Sequence, residues 1–231
     1  MDEGRTAERK FLAAPPAEAF AAAWLGHACD PDPAYPAGTV TSVYYDTLDL
    51  ASYREKLNGD FVKSKVRLRW YEDEARPGAA GGEAFLELKR RVGAARRKLR
   101  QPVVLDRAWL TRVPLDDPDL RALPYRAGGP LLPGLPPDLH PTVALTYRRR
   151  RYVCPRSGAR VALDTGVRVT RLNPARLPAA GLPALAVVVV EVKGPATEVP
   201  WLGELFRAGF RLRAFSKYAA CMAGVLEGAA P

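Results

Sequence analysis

Apolar and charged residues alternate along several segments of this chain. In residues 63–72 (KSKVRLRWYE), valine, leucine and tryptophan take one side of an extended strand, and lysines and arginines take the other. Residues 84–91 (AFLELKRR) alternate in the same way. Alternation, or a run of β-branched and aromatic residues, predicts strands over residues 6–13, 39–46, 63–72, 84–91, 96–105, 142–153, 159–165, 166–172 and 185–194.

Helical patterns are fewer than strand patterns. An alanine-rich segment that follows Pro15 and Pro16 predicts a helix over residues 17–28. The region 106–140, rich in proline and leucine, predicts short helices mixed with loop, and two further helices are predicted over residues 198–208 and 214–227. We find no internal repeat and no linker in the sequence, so residues 1–231 are predicted to form a single domain.

The fold that these elements predict is mainly β, of the α+β type. About eight strands with several short connections favour one large antiparallel sheet that closes into a barrel, which removes its edges. If helices cover the outside of such a barrel, the charged side of each strand lines the lumen. For any one strand, a solvated outer face is the simpler interpretation of the charged side. The pattern recurs in five segments between residues 63 and 193, which favours a charged lumen. A lumen crowded with cations is costly unless anions or water neutralise it, so a closed sheet predicts a multiply charged anionic ligand.

Charge and cysteine content narrow the class of protein. The 231 residues carry a formal net charge of +10, which favours an anionic partner such as nucleic acid, acidic lipid or a phosphorylated molecule. Three scattered cysteines (Cys29, Cys154 and Cys221) fit a reducing compartment. The sequence has no apolar run of membrane-spanning length and no secretory leader, so we expect a cytoplasmic protein.

Basic residues on the alternating strands are candidates for phosphate binding. Arg67 and Arg69 share one side of a strand at a spacing of about 7 Å. Guanidinium groups bind phosphate oxygens bidentately, which suits a polyphosphate better than ammonium groups do. Lys89 continues the pattern on the next strand, and Lys98 and Arg100 follow on the one after it.

Two acidic residues are candidates for a metal site. Glu191 ends the most apolar strand of the chain, where a carboxylate is costly without a partner, and this makes it the first metal-ligand candidate. Glu8 and Lys10 share one side of the first strand, so they suit a metal and a phosphate side by side, although a surface ion pair is the simpler interpretation. Hard oxygen ligands with phosphate co-ligands suit Mg²⁺ or Mn²⁺.

The densest basic run is TYRRRRY, at residues 146–152. Alternation places Arg149 and Arg151 on the same side as Tyr147. The run by itself also fits a nucleic-acid patch, but aromatic stacking platforms are not evident, so a nucleic-acid partner is disfavoured. Lys217 follows a helix N-cap serine and is therefore placed where an anion can meet it. A Walker loop, a GxSxG elbow and zinc-ligand spacing are all missing from the sequence.

These segments together resemble the VTC domain, the polyphosphate polymerase branch of the triphosphate tunnel metalloenzymes, which also include the CYTH proteins. The resemblance covers the chain from Glu8 to about Met222. Each matching block is short, and the order and spacing of the blocks carry the resemblance. The blocks are ERKF, SVYYDT, KVRLRWY, LELKRR, TYRRRRY, ARVALDT, VVEVKG and FSKY.

The resemblance implies a fold, a function and a set of site residues. The fold would be an eight-stranded antiparallel β-barrel, the triphosphate tunnel fold, lined by basic residues and with helices packed outside. The reaction would be transfer of the γ-phosphoryl group of ATP to a growing polyphosphate chain, with Mn²⁺ or Mg²⁺ as cofactor. ATP and inorganic polyphosphate, or triphosphate or pyrophosphate, would be the partners, and a membrane partner is left open. Glu191 would bind the metal with Glu8 as a second contributor. The phosphate-binding residues would be Lys10, Arg67, Arg69, Lys89, Lys98, Arg149, Arg160, Lys193 and Lys217, and all of these except Lys98 and Lys193 are also candidates for a catalytic role.

Two departures from the family pattern keep alternatives open. CYTH relatives carry Glu-x-Glu-x-Lys on the first strand, and Thr6 stands at the leading position here. One acid then remains, which disfavours a two-metal hydrolase. The family has a basic residue just before FSKY, and Ala214 stands there in this chain, so binding of a polymer would be weaker at this position. A triphosphate hydrolase using the same tunnel, or a module that binds or senses polyphosphate without catalysis, are the alternatives.

Overall fold

The computed structural model describes residues 7–73, 83–129, 133–177, 181–194, 199 and 201–228, which contain ten strands and six α-helices. The strands are β1 (Ala7–Ala13), β2 (Asp30–Pro31), β3 (Ala37–Asp46), β4 (Val62–Asp73), β5 (Glu83–Val92), β6 (Ala95–Val104), β7 (His140–Val153), β8 (Arg160–Leu172), β9 (Val188–Gly194) and β10 (Arg211–Leu212). The helices are α1 (Glu18–Ala28), α2 (Ala51–Leu57), α3 (Arg107–Arg112), α4 (Pro118–Gly128), α5 (Leu202–Arg207) and α6 (Lys217–Glu227).

All the strands belong to one antiparallel sheet with the order β10-β1-β9-β8-β7-β3-β4-β5-β6, and β2 pairs with β7. The prediction of a closed eight-stranded barrel is wrong, because the described strands number ten and the sheet is open between β6 and β1. Part of the free edge of β1 is occupied by β10, through pairs such as Phe11 with Leu212. The free edge of β6 carries Pro102 and exposed basic residues, and these features discourage further strand pairing.

The open sheet nevertheless curls until its ends meet. Strands β1 and β5 are six positions apart in the sheet order, which corresponds to roughly 29 Å in a flat sheet. Yet Nζ of Lys89 on β5 lies 3.3 Å from Oε2 of Glu8 on β1. The sheet therefore encloses a channel. We call the side that carries Glu8 and Lys89 the inner face, and the other side the outer face.

Helices cover the outer face in two apolar layers. Leu25 of α1 and Leu205 of α5 are fully buried in one cluster with the outer residues of β1, β8 and β9. Leu110 of α3 and Leu120 of α4 are buried in a second cluster with β3, β4 and β5. Burial of one such leucine contributes roughly 1.5–3 kcal/mol, so these layers account for the apolar half of the alternating pattern. The expectation of helices outside the sheet is confirmed for these four helices.

Helix α6 differs because it packs on the inner face. Tyr218 and Met222 of α6 belong to a third buried cluster, with Val40, Leu145 and Tyr147 from the inner sides of β3 and β7. The Ser216 hydroxyl caps the helix by accepting from the backbone N–H of Ala219. The prediction that the helices pack outside is therefore wrong for α6.

A buried carboxylate anchors α6 to the sheet. The Tyr218 hydroxyl donates to Asp46 Oδ2 at 2.5 Å. Asp46 is completely buried and also accepts from the backbone N–H groups of Ser52 and Tyr53, at the start of α2. These contacts hold the N-terminal end of α6, and with it Lys217, inside the channel.

Several predicted boundaries change. The two strands predicted to meet at Gly166 are one continuous strand, β8, with a register shift against β7 between Thr146 and Arg148. Gly166 has a φ of 61°, a backbone conformation that glycine adopts without strain, and it lies next to this bulge in the strand. Helix α5 begins at Leu202, later than predicted, and residues 195–198 lie outside the described part of the chain. No helix within the described residues is long and apolar enough to span a bilayer.

Candidate functional site

One ionic centre on the inner face surrounds Glu87. The register aligns Arg67 of β4, Glu87 of β5 and Arg100 of β6 in one row. The Glu87 side chain is 2% exposed, and its Oε2 accepts from Arg67 Nε at 2.7 Å, with Arg69 Nη1 at 3.9 Å. Its Oε1 lies 2.8 Å from Lys98 Nζ and 3.7 Å from Arg100 Nε. Four cations thus converge on one carboxylate.

The environment of Glu87 keeps it ionised. Burial alone would raise the pKa of this carboxyl group, but the guanidinium groups of Arg67 and Arg69 lower the pKa to about 2. Neutral groups fix the same two arginines. Arg67 Nη1 donates to the Tyr44 hydroxyl at 3.1 Å, and Arg69 Nε donates to the Ser42 hydroxyl at 3.0 Å. The two guanidinium groups are therefore held in defined positions in the channel.

This ionisation makes stability depend on pH. The pKa of Glu87 falls from 4.5 to about 2 on folding, so its stabilisation is fully present above pH 4.5 and is lost as the pH falls through about 2. We expect urea midpoints to decrease as the pH falls between these values. In Glu87→Gln the decrease is smaller, because the variant has no carboxylate to protonate there. Equal pH dependence of the two proteins would contradict this role for Glu87.

A second ionic centre surrounds Asp164 on the opposite wall of the channel. Asp164 of β8 is completely buried and is aligned with Arg149 of β7. Arg149 donates to both carboxylate oxygens, at 2.6 and 2.7 Å, and Lys217 Nζ from α6 donates to Oδ2 at 2.5 Å. Burial alone would raise the pKa of Asp164, but Arg149 and Lys217 lower the pKa to about 2. Helix α6 therefore completes an ionic centre that the two strands begin.

Glu191 lies beside this second centre. Its Oε1 is 2.5 Å from Lys193 Nζ, and its Oε2 is 3.7 Å from Arg149 Nη2. Burial opposes ionisation, but the charges of Lys193 and Arg149 hold the pKa of Glu191 well below its usual value. The sequence-based argument that a carboxylate at this buried position needs a partner is consistent with these contacts, and here the partners are cations of the chain itself.

Glu8 connects the two ends of the sheet. Its Oε1 lies 3.2 Å from Lys10 Nζ and its Oε2 lies 3.3 Å from Lys89 Nζ. Burial and repulsion from Glu191 raise its pKa, but Lys10, Lys89 and Lys193 outweigh them, so the pKa is lowered overall.

The donor set fits a divalent metal held partly by phosphate. Glu8 and Glu191 come from paired strands and share the inner face. Within the described residues, no group of three or more histidine, cysteine or acidic residues could hold a metal ion. Mg²⁺ is commonly bound through one or two carboxylates together with substrate phosphates, so two carboxylates are a sufficient protein contribution.

The residues predicted from the sequence converge in this channel. Most of the predicted cations contact Glu8, Glu87, Asp164 or Glu191 on the inner face. These cations are Lys10, Arg67, Arg69, Lys89, Lys98, Arg149, Lys193 and Lys217. Arg160 is aligned with Lys193 across β8 and β9 but is exposed and makes no ion pair within the described residues. Thr6, the departure on the first strand, lies outside the described residues.

The sequence-based reasoning did not include three residues of the site. Glu87 and Asp164 lie on the charged sides of their strands, so alternation indicates which face of the sheet their side chains occupy. The number of cations around each carboxylate depends instead on how neighbouring strands are aligned. Lys65 donates to the Ser216 hydroxyl at 2.7 Å, and burial lowers its pKa to about 8. The sequence around Lys65 does not predict this contact with Ser216, because the two residues are far apart in the chain.

Comparisons with known proteins give a family and a shared fold. Residues 8–108 and 136–226 match the profile of the VTC domain. A Bacillus halodurans protein described as a "putative adenylate cyclase" shares the fold with a TM-score of 0.52 and 15% identity, over 94% of this chain and 96% of that one. A Pyrococcus horikoshii OT3 protein also shares the fold, with a TM-score of 0.51 and 12% identity, over 94% of this chain and 99% of that one. No curated protein sequence matches the chain.

Proposed function

Because this chain belongs to the VTC domain family, we propose that it is a polyphosphate polymerase, which transfers the γ-phosphoryl group of ATP to a growing inorganic polyphosphate chain. The proposal is supported above all by the excess of cations over carboxylates on the inner face of the sheet. Among the described residues, the carboxylates that form ion pairs there are Glu8, Glu87, Asp164 and Glu191. The cations in contact with them are Lys10, Arg67, Arg69, Lys89, Lys98, Arg100, Arg149, Lys193 and Lys217.

Such an excess of positive charge favours a ligand with several negative charges. Buried or partly buried cations that outnumber their counterions repel one another and are costly to hold close together. A chain of phosphates neutralises them along its whole length, whereas a single small anion neutralises only one or two. The charged walls also concentrate anions at the entrance of the channel.

Cations of the two ionic centres face the channel from both sides, which supports binding of a phosphate chain between them. Arg67 and Arg69 face it from β4, and Arg149 and Lys217 face it from β7 and α6. Glu87 and Asp164 hold these cations in position before substrate arrives, so little reorganisation is needed on binding. Pre-positioned positive charge is the main means by which a protein accelerates phosphoryl transfer.

The proposed reaction needs no covalent intermediate with the protein. A terminal oxygen of polyphosphate attacks the γ-phosphorus of ATP, the bond from that phosphorus to the β-phosphate oxygen breaks, and ADP leaves. The attacking oxygen is already an anion, so no proton has to be removed. The cations of the channel align the two phosphate chains and offset the repulsion between them.

A divalent cation is part of this proposal. Mn²⁺ or Mg²⁺, when bound by Glu191 with Glu8, would neutralise phosphate oxygens that the cations of the chain do not reach. The lysines beside these carboxylates (Lys10, Lys89 and Lys193) would then be released to bind phosphate.

Incubation of the purified chain with ATP and Mn²⁺ or Mg²⁺ tests the proposed activity directly. We expect a ladder of polymer on a gel stained for polyphosphate, and a much weaker ladder from Glu191→Gln. Glu204→Gln is the matched control, because Glu204 is an acidic residue of α5 whose only ion pair among the described residues is with exposed Arg207. This control variant should make as much polymer as the unmodified protein.

Two results would replace the proposal with one of its alternatives. Release of orthophosphate from triphosphate without any polymer would identify a triphosphate hydrolase that uses the same channel. Binding of polyphosphate without turnover, in a preparation whose circular dichroism and thermal unfolding show an intact fold, would identify a non-catalytic binding or sensing module.

A further inference from the structure

Rows of inner-facing residues run across β4, β5 and β6 and continue beyond the Glu87 centre. Adjacent rows lie two residues apart along each strand, about 7 Å. The row nearest the β5–β6 turn consists of Lys63, Arg91 and Arg96, and we call it the tip row. In order toward the turn, the rows are Arg67, Glu87 and Arg100, then Lys65, Lys89 and Lys98, then the tip row.

The tip row differs from the inner rows because it has no counterion in the part of the chain that the structure describes. Arg91 and Arg96 are exposed, and no residue of the tip row makes an ion pair within the described residues. Like charges that face each other directly across paired strands are destabilising. Arg91 Nε donates to a backbone acceptor, the Gly93 carbonyl, at 2.5 Å. The charges of this row are therefore available to an anion from outside the chain.

Position distinguishes the tip row from other exposed arginines. Arg90 and Arg97 form a like-charged pair on the same hairpin, but they point to the outer face. Strand alternation assigns the tip row to the same side as the inner rows, so it continues the line of cations that starts inside the channel. A phosphate chain longer than the channel would meet it on leaving.

We propose that the tip row binds phosphates of a polyphosphate chain beyond those held inside the channel, so that the protein prefers long chains to triphosphate. This inference rests on the proposed function in that it takes inorganic polyphosphate to be the ligand of the channel. Guanidinium groups suit the contact, since each binds phosphate oxygens bidentately.

Binding measurements with two ligands separate the tip row from the channel. The dissociation constants of tripolyphosphate and of a long polyphosphate of defined length are measured by calorimetry, at fixed ionic strength and without ATP. In the double variant Arg91→Ala/Arg96→Ala, we expect affinity for the long chain to fall about tenfold and affinity for tripolyphosphate to change less than about twofold.

The matched control is Arg90→Ala/Arg97→Ala, which removes the same charge from the other face of the same hairpin. It should keep its preference for the long chain. An equal loss for both ligands in the tip-row variant, or an equal loss of long-chain affinity in the control, would overturn the inference. Equal affinity of the unmodified protein for both ligands would also overturn it.

The outcomes also separate this inference from the proposed activity. Suppose that the tip-row variant loses only long-chain binding, and that neither the unmodified protein nor the variants make polymer from ATP. The role of the tip row in binding long chains is then established, and the polymerase proposal fails. If polymer is made but the two ligands bind equally tightly, the polymerase proposal stands and the inference fails. If the unmodified protein binds neither ligand, both fail.

Discussion

Asp164→Asn should lower the free energy of unfolding by about 3–5 kcal/mol, the usual cost of removing one member of a buried ion pair. Asp164 is completely buried and accepts two hydrogen bonds from Arg149 and one from Lys217. Asparagine fills the same space without the negative charge. Among the described residues, the carboxylate that then remains near these two buried cations is Glu191, at 3.7 Å from Arg149. Urea unfolding followed by circular dichroism measures the loss.

Asp119→Asn is the control for this experiment. Asp119 forms an ion pair with Arg126 at 2.9 Å, but both side chains are mostly exposed, and such pairs contribute roughly 0–1 kcal/mol. Added tripolyphosphate should stabilise Asp164→Asn more than it stabilises the unmodified protein, because the uncovered cations then bind phosphate. A loss below about 1 kcal/mol in Asp164→Asn would show that the two cations do not depend on this carboxylate.

Polymer formation by Arg67→Gln should be reduced about 10²–10³-fold, the range expected when one pre-positioned group that stabilises the transition state is removed. Glutamine can still donate to the Tyr44 hydroxyl or Glu87, so the local fold has a substitute hydrogen bond. Glu87 also keeps Arg69, Lys98 and Arg100 as neighbours. Initial rates at several ATP concentrations report the change in kcat/KM.

Arg126→Gln provides the comparison for Arg67→Gln. Arg126 belongs to α4 on the outer layer and pairs only with exposed Asp119 among the described residues. Its replacement removes the same charge and should leave the rate within about twofold, since long-range effects of exposed charges are screened by salt. If a folded Arg67→Gln protein made polymer as fast as Arg126→Gln, Arg67 would have no part in the reaction.

The alternating pattern of this sequence was sufficient to predict most strands and the direction of most side chains. In KVRLRWY, the residues Val66 and Leu68 are buried in the outer layer, and Arg67 and Arg69 face inward, as the period of two requires. The pattern did not reveal that residues 160–172 form one strand, because Gly166 is typical of both a turn and a bulge.

The sequence by itself determined which residues are charged and which side of each strand they occupy, because both depend only on residue type and local period. Only the tertiary structure decided which charges meet. Glu8 reaches Lys89 because the sheet curls, and Lys217 reaches Asp164 because α6 packs on the inner face. The tertiary structure also decided that the sheet stays open beside β6. A closed barrel would pair β6 with the free edge of β1, and β10 occupies part of that edge. Contacts between residues far apart in the chain depend on strand order and register, and a local pattern specifies neither.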